Sequence, residues 1–300
     1  MEKREIKKIE IVLWFRCNCM CVFCSSRSMG GEGFTDREAA VLLDKYAAEG
    51  VRAVDFGGGE PTVRDDLPIL AKVAKKLGYE KIGVKSNGMR FCYPEYVEQC
   101  MEAGINEYCI SLWGHNPAVH DMMAGRAGAF EMTEMGMKHL VDFGADVTLD
   151  FLLTTETVEF LPQIIEKASV ETGIKKFSVW LFSIFGAGGM RHELLPRMSI
   201  AGEKVVEAYE KVRDSAVAFK TSHIMPCCLK GRESLYYNVR DIRLLIATPG
   251  SSFMGEESPF EAGRHVKACG SCEYAGVCSG PRPEYLDVFG DSEFVAIDKG

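Results

Sequence analysis

The chain has 300 residues, of which 47% are hydrophobic, enough for one large core or for a large core with a small appendage. Its first residues are charged and no apolar run has the length of a membrane span, so we expect a cytoplasmic protein with no membrane partner. A net charge of −8 argues against non-specific binding to nucleic acid, and we expect no nucleic-acid partner. The chain contains 12 cysteines, which in a reducing compartment are more often metal ligands than disulfides.

Strand-like and helix-like segments alternate as far as residue 219. Apolar, β-branched runs predict strands at 9–15, 53–56, 81–85, 107–112, 147–153 and 177–182. Helical periodicity predicts helices at 36–49, 67–77, 95–103, 131–143, 160–172 and 201–219. Thr35 and Glu38 form a capping-box pattern before the first helix. Four glycines stand where helices would end: Gly50, Gly78, Gly104 and Gly144. This alternation predicts an α/β fold with a parallel sheet covered by helices, with too few units for a closed eight-stranded barrel.

The pattern changes after residue 219. Residues 234–246 alternate enough to predict a β-hairpin turning at 238–240, followed by a loop at 249–259. Three cysteines come next, Cys269, Cys272 and Cys278. We therefore predict two domains, an α/β barrel at 1–219 and a small metal-binding extension at 220–300.

Candidate functional residues follow the predicted strands, at the ends where ligands bind in parallel α/β folds. A cysteine loop follows the first strand and Gly-Gly-Gly-Glu-Pro at 57–61 follows the second. The later strand ends carry Ser86-Asn87-Gly88, Ser111, Thr154-Thr155 and Gly186-Ala187-Gly188-Gly189. Their shared position predicts one site at this rim.

The cysteine loop offers three thiolates at a distinctive spacing. Cys17, Cys21 and Cys24 are separated by three residues and then two. Three ligands leave one metal position open, as in catalytic sites, whereas four close the coordination. Cys19 is an additional thiol, so another choice of ligands stays open. The chain length argues against a disulfide framework, and zinc would need a fourth ligand nearby.

Together with the motif at 57–61, the cysteine loop resembles the radical S-adenosylmethionine (radical SAM) superfamily. The resemblance implies a partial (β/α)6 barrel in which Cys17, Cys21 and Cys24 hold a [4Fe–4S] cluster. It further implies that S-adenosylmethionine (SAM) binds the open iron and is cleaved reductively to a 5′-deoxyadenosyl radical, which abstracts hydrogen from a substrate. A reductant such as flavodoxin or ferredoxin would supply the electron.

The same resemblance implies which residues contact SAM. Gly58 and Gly59 would allow close approach of the backbone, and Glu60 would face the amino group. An aromatic residue near the adenine would be Phe23. Polar contacts at later strand ends would come from Ser86, Asn87, Ser111 and Thr154. The alternative for these residues is ordinary turn, strand-end and core packing.

The three tail cysteines resemble part of the SPASM pattern, an auxiliary cluster module of radical SAM enzymes. Arg282 stands where the longer pattern has another cysteine, which favours the shorter "twitch" type with a single auxiliary [4Fe–4S] cluster. Its fourth ligand would be Cys227 or Cys228, and we favour Cys227 because Pro226 restricts the chain before it. A structural zinc site of four cysteines is the alternative.

The resulting hypothesis is a radical SAM enzyme whose auxiliary cluster assists oxidation or bond formation on a small molecule or a peptide. The rival hypotheses are an iron–sulfur electron-transfer or scaffold protein without SAM chemistry, and a radical SAM enzyme with zinc in its tail. Since the first strand begins near Lys8, we expect no leader-peptide-binding domain before the barrel. The scattered Cys92, Cys100 and Cys109 receive no function, and His120-Asp121 is interpreted as a loop or helix-start pair.

Overall fold

The computed structural model describes residues 5–24, 26, 32–184 and 191–298. Within these residues, strands and helices follow one another along the chain. The strands are β1 (Lys8–Trp14), β2 (Ala53–Gly58), β3 (Lys81–Ser86), β4 (Glu107–Leu112), β5 (Asp146–Leu153), β6 (Lys176–Leu181), β7 (Ala218–Ser222), β8 (Leu244–Thr248) and β9 (Ser251–Met254). The helices are α1 (Asp36–Ala48), α2 (Leu67–Lys76), α3 (Pro94–Ala103), α4 (Pro117–Ala124), α5 (Ala129–Asp142), α6 (Leu161–Lys167), α7 (Met198–Val212) and α8 (Pro283–Phe289). None of the helices in these ranges is long and apolar enough to cross a membrane.

The described strands form one sheet in the order β7-β6-β5-β4-β3-β2-β1-β8-β9. Every neighbouring pair is parallel except β8 and β9, which form an antiparallel hairpin. The predicted α/β fold with a parallel sheet, covered by helices as in a partial barrel, is confirmed. Each of the six predicted strands is present, and the sheet extends beyond them on both sides.

Alternating side chains separate an apolar outer face of the sheet from a polar inner face. On β1, Ile9, Ile11 and Leu13 are fully buried and pack in the core under the helices. Lys8 and Glu10 alternate with them and point the other way, since successive strand residues face opposite sides. Strands β4, β5 and β6 alternate in the same manner. The barrel interior is therefore an open chamber with charged and apolar walls rather than a packed apolar core.

The predicted helix signals are confirmed. Glu38 N–H donates to Thr35 Oγ1 at 3.2 Å and Thr35 N–H donates to Glu38 Oε2 at 2.8 Å, which completes the capping box of α1. The four glycines at helix ends adopt positive φ angles, where a side chain would be strained. Helix α4 was not expected, and it contains His120 and Asp121.

The predicted hairpin turn at 238–240 is wrong. Val239–Ile242 form a 3-10 turn, in which the Asn238 side chain accepts a hydrogen bond from Arg240 N–H. The hairpin lies later, between β8 and β9, and turns at Gly250 with φ +94° inside the predicted loop. The apolar run of β8 pairs with β1 instead of with residues just before it.

The last predicted helix, 201–219, also ends too late. Helix α7 ends at Val212, and Ala216 with φ 52° turns the chain into β7. The proposed boundary between residues 219 and 220 falls inside β7, and the sheet continues across it through β8. The division into two domains stays a prediction.

Candidate cofactor site and tail cysteine pocket

A cavity of about 520 Å³ lies at the carboxyl ends of the first four strands. Cys17, Cys21 and Cys24 line it, so the loop after β1 brings the three predicted thiolates to one space. Predicted cofactor-binding residues line the same cavity: Phe23, Gly58, Gly59, Glu60, Ser86, Asn87 and Ser111. Residues that are far apart in the chain therefore meet at the rim, as their positions after successive strands predicted.

Helix α4 supports the cysteine loop through its last carbonyl groups. Met20 N–H donates to Ala124 O at 2.9 Å and Val22 N–H donates to Met123 O at 3.0 Å. A side chain at Gly125 would lie 2.3 Å from Met20 O, so glycine is required where the loop crosses the helix end. The loop is thus held by a helix whose carbonyl groups have no partner within the helix itself.

Cys19 differs from the other three cysteines of the loop. Its side chain is 7% exposed and packs in a small apolar cluster, with its Sγ 3.5 Å from Met89 Sδ. Two hydrogen bonds from Cys19 lower the pKa of Cys17, the larger effect coming from the Cys19 thiol and the smaller from its backbone N–H. Cys19 thus packs against Met89 although it also lines the cofactor cavity, while Cys17 is the most exposed of the four.

The glycines at 57–61 pack against the base of the cysteine loop. A Cβ atom at Gly58 would lie 2.3 Å from Trp14 O, and one at Gly59 would lie 2.1 Å from Arg16 O. Backbone hydrogen bonds fix this approach, from Gly59 N–H to Trp14 O and from Glu60 N–H to Arg16 O. Glycine is therefore required at positions 58 and 59 because the protein backbone itself, at Trp14 and Arg16, lies against them.

Glu60 joins the loops that follow β2 and β3. Its carboxylate is 1% exposed and accepts four hydrogen bonds from the protein. Oε1 accepts from Thr62 N–H at 3.0 Å, Thr62 Oγ1 at 2.6 Å and Ser86 Oγ at 2.8 Å, and Oε2 accepts from Asn87 N–H at 2.8 Å. Burial raises the pKa of Glu60, and these donors oppose that shift. The sequence did not indicate this role.

Asn87 continues this network into the cysteine loop, since its Nδ2 donates to Asn18 Oδ1 at 2.7 Å.

Thr154 lies elsewhere. It is fully buried, and its hydroxyl lies 3.1 Å from Thr157 Oγ1 within the turn after β5. Nothing in this geometry supports a cofactor contact for Thr154, which stays a prediction. The glycine loop at 186–189 lies outside the described residues.

Trp113 and two charged residues line the cavity without having been predicted. The Trp113 ring meets Phe23 edge-to-face with centroids 4.9 Å apart. Its backbone N–H donates to Nδ1 of His120, which is 2% exposed and whose pKa burial lowers to about 4. Glu10 and Lys85 form an ion pair of 2.6 Å at the cavity floor. Alternation on β1, β3 and β4 was the signal that placed these residues inward.

The tail cysteines surround a second, smaller pocket. Cys227, Cys269, Cys272 and Cys278 all line it. The remaining walls are largely apolar and include Met225, Pro226, Pro281, Phe294 and Val295. Four sulfur donors in an apolar enclosure suit a thiolate-bound metal. The free volume is about 20 Å³, the size of one small group.

Cys228 points away from this pocket. Its side chain is 3% exposed, and its backbone lies so close to α7 that a Cβ at Gly202 would be 2.1 Å from Cys228 O.

Arg282, where a further cysteine would stand, is buried and donates to Leu181 O at 3.0 Å. That arginine therefore fastens the tail to the end of β6.

Among the described residues, no three His, Cys, Asp or Glu side chains converge as they would on a single metal ion. A four-iron cluster differs, because each thiolate binds a different iron and the cysteines surround a space. The arrangement of Cys17, Cys21 and Cys24 around the larger cavity fits such a cluster. The fold and this rim define a cofactor-dependent α/β enzyme.

The sequence model of the Radical SAM superfamily matches residues 11–168, more than half of the chain. The chain belongs to the radical SAM superfamily, whose enzymes use a [4Fe–4S] cluster and SAM. It is 30% identical over 165 residues to Fe-coproporphyrin III synthase of Methanosarcina barkeri, covering 53% of this chain and 41% of that protein. It is 29% identical over 175 residues to a probable GTP 3′,8-cyclase of Methanopyrus kandleri, covering 57% and 56%. The chain thus spans about half the length of these curated relatives.

A structural relative covers more of the chain. SuiB of Streptococcus suis bound to SAM aligns with 97% of this chain and 76% of its own, with a TM-score of 0.70 at 15% identity. SuiB has also been solved with its precursor peptide SuiA. At this identity the likeness shows the fold alone, and that fold extends through the tail.

Proposed function

We propose that this enzyme cleaves SAM reductively and abstracts hydrogen from an organic substrate, with its [4Fe–4S] cluster on Cys17, Cys21 and Cys24. The observation that carries the proposal is the single cavity that these cysteines share with Glu60 and Asn87. When bound, the cluster and SAM supply a 5′-deoxyadenosyl radical. An iron–sulfur carrier has no need of this conjunction of thiols and a hydrogen-bonded polar rim.

The chain's own residues build and orient this cavity. Glu60 fixes the loops of β2 and β3 against each other, and Asn87 connects them to the cysteine loop. Phe23 and Trp113 provide an aromatic wall suited to the adenine of SAM. Together with Gly58, Gly59, Ser86 and Ser111, these residues form the proposed SAM site. Glu60 then acts mainly by positioning the polar groups around it.

We assign the segment 220–300 to a twitch-like auxiliary site with Cys227, Cys269, Cys272 and Cys278 as ligands. Their common pocket supports the ligand set, and the direction of Cys228 supports the choice of Cys227. A second [4Fe–4S] cluster there would accept an electron during oxidation or bond formation. The pocket volume, about 20 Å³, is smaller than such a cluster, and these cysteines do not converge as the ligands of a single zinc ion would. Structural zinc is the alternative, and metal analysis distinguishes the two.

The substrate class we propose is a small molecule or a peptide. The curated relatives are named for a coproporphyrin and for GTP, and SuiB is seen with a precursor peptide. Flavodoxin or ferredoxin is the proposed reductant.

The test begins with anaerobic reconstitution and metal analysis. We expect about eight irons with matching sulfide per chain, from two four-iron clusters. Reduction with dithionite should then convert SAM to 5′-deoxyadenosine and methionine. Full cluster loading without 5′-deoxyadenosine would instead indicate an electron-transfer or scaffold protein. About four irons together with zinc would overturn the auxiliary cluster and leave the radical chemistry standing.

A further inference from the structure

A second cavity, of about 600 Å³, lies inside the barrel next to the cofactor cavity. Residues at the starts of the strands line its mouth, including Lys8, Lys81 and Glu107, so it opens toward their amino-terminal ends. Lys85 lines both cavities, which therefore adjoin at that side chain. A molecule in this inner cavity would lie beside the proposed SAM site.

The inner cavity is lined by charges of both signs, most of which are already paired. Ion pairs within 4 Å join Lys85 to Glu10, Lys8 to Asp55 and Glu107, Lys81 to Glu107, and Lys176 to Asp146. Among the inward carboxylates of the described strands, Asp150 on β5 has no such lysine or arginine partner. Two exposed lysines that line the cavity, Lys7 and Lys220, also have no carboxylate of the described residues within 4 Å, and neither pairs with Asp150. Asp150, which is half-buried, is therefore left without an ion-pair partner among these residues.

Two of the residues around Asp150 offer neutral hydrogen bonds. Trp180 Nε1 donates to Asp150 Oδ1 at 2.6 Å, and the Ser178 hydroxyl also hydrogen-bonds the carboxylate. Burial raises the pKa of Asp150, because these contacts and the more distant charge of Lys85 do not fully replace its hydration. An added cation would stabilise the ionised carboxylate.

Aromatic side chains share the inner cavity with Asp150. Trp180 and Tyr237 line the same cavity as Asp150, and aromatic faces attract organic cations. The Tyr237 ring already carries the Nζ of Lys220 at 4.6 Å from its centroid. In the sheet register Asp150 stands opposite Ser111, which lines the cofactor cavity. Asp150 is therefore one strand away from the proposed reaction site.

We infer that the inner cavity binds the substrate through a cationic amino group held by the Asp150 carboxylate beside Trp180. This inference rests on the proposed function and narrows its substrate class to organic molecules or peptides that carry an amine. The group is an organic cation rather than an anion, because Lys8 and Lys85 are already paired and the unpaired Lys7 and Lys220 are exposed. The ammonium supplies hydrogen-bond donors to Asp150 and the positive charge that its direct partners Trp180 and Ser178 lack.

The test uses three fluorinated probes of nearly the same shape on the reconstituted holoenzyme. These are 4-fluorobenzylamine, the neutral 4-fluorobenzyl alcohol and the anionic 4-fluorobenzoate, titrated by ¹⁹F NMR at pH 7.5. We expect the amine to bind at least about tenfold more tightly than either of the others, the gain typical of a hydrogen-bonded charge. Equal binding of amine and alcohol, or no detectable binding of the amine, would overturn the inference without any variant.

A pair of variants locates the interaction. Asp150→Asn, which keeps an acceptor for Trp180, should weaken binding of the amine by about tenfold and leave that of the alcohol unchanged. The matched control is Asp241→Asn at the exposed cavity mouth, which should leave both affinities unchanged. An effect at Asp241 without one at Asp150 would place the amine at the mouth and refute the assignment.

The two proposals fail in different ways. The dithionite assay for 5′-deoxyadenosine, run on the parent protein without probes, tests the radical chemistry alone. If 5′-deoxyadenosine forms but the amine does not bind preferentially, the inference about the substrate is wrong and the proposed function stands. If the amine binds through Asp150 but loaded protein forms no 5′-deoxyadenosine, the cation site stands and the proposed function is wrong.

Discussion

The replacement Glu60→Gln separates two roles for this side chain. The family resemblance implies that Glu60 faces the amino group of SAM, whereas in the structure its oxygens accept hydrogen bonds from Thr62, Ser86 and Asn87. Glutamine keeps the shape but turns one oxygen into an amide nitrogen that accepts no hydrogen bond. With that nitrogen at the Oε2 position, the Asn87 N–H loses its acceptor while the other three donors keep theirs.

The size of the effect follows from these contacts. A buried donor without an acceptor costs about 1–3 kcal/mol, and hydrogen bonds that lose charge assistance weaken by about 1 kcal/mol each. Removing the buried charge acts in the opposite direction, since burial raises the pKa of Glu60 and so disfavours its ionised form. We expect Glu60→Gln to lower the free energy of unfolding by about 2–3 kcal/mol, in protein without SAM.

Urea denaturation followed by circular dichroism measures this change. The parent, Glu60→Gln and the control Glu98→Gln, an exposed glutamate on α3, should be compared without SAM. The control should stay within about 0.5 kcal/mol of the parent, as surface substitutions usually do. If Glu60→Gln also leaves the free energy of unfolding within about 0.5 kcal/mol of the parent, the Glu60 carboxylate does not stabilise the rim, and its role is confined to the cofactor.

Three further predictions concern the cysteines and one histidine. Cys21→Ala should remove about four irons and all formation of 5′-deoxyadenosine, whereas Cys19→Ala should keep both; loss of iron from the Cys19 variant would contradict its burial against Met89. Cys227→Ala should abolish the auxiliary signal in electron paramagnetic resonance and Cys228→Ala should retain it, and the reverse result would exchange their roles. Burial lowers the pKa of His120 to about 4, so the unfolded state binds the proton first as the pH falls below about 6.5. The free energy of unfolding should therefore fall by about 2 kcal/mol more in the parent than in His120→Asn by pH 5, and equal losses would refute this.

The strands before residue 182 were predictable because their signal is local. Alternation within β4, β5 and β6 reports one buried face and needs no knowledge of the partner strand. Strand β7 was missed, and the start of β8 was predicted as part of a local hairpin, because both strands are five residues long and pair with distant or weakly marked neighbours. Whether these segments form strands depends on the neighbouring strand with which each one pairs.

The site was predictable in composition but not in the direction of its side chains. Chain position places Cys17 and Cys19 in the same loop, yet only the fold shows that Cys19 is buried against Met89 while Cys17 is exposed. The partners of Glu60 include Ser86 and Asn87, more than 25 residues away, and no local pattern encodes such contacts. Spacing reveals which atoms are available, and the fold decides which of them meet.

The pairing of β8 with β1 has a consequence for the order of folding. These strands are more than 200 residues apart, so during synthesis β1 has one unpaired edge until β8 has been made. Contacts between such distant segments form slowly, because a long loop must first close. The strand that leads into Cys17 would therefore be among the last to gain both neighbours. We expect cluster insertion to follow completion of the sheet, and cells that express the protein too fast to accumulate aggregated, iron-free chains.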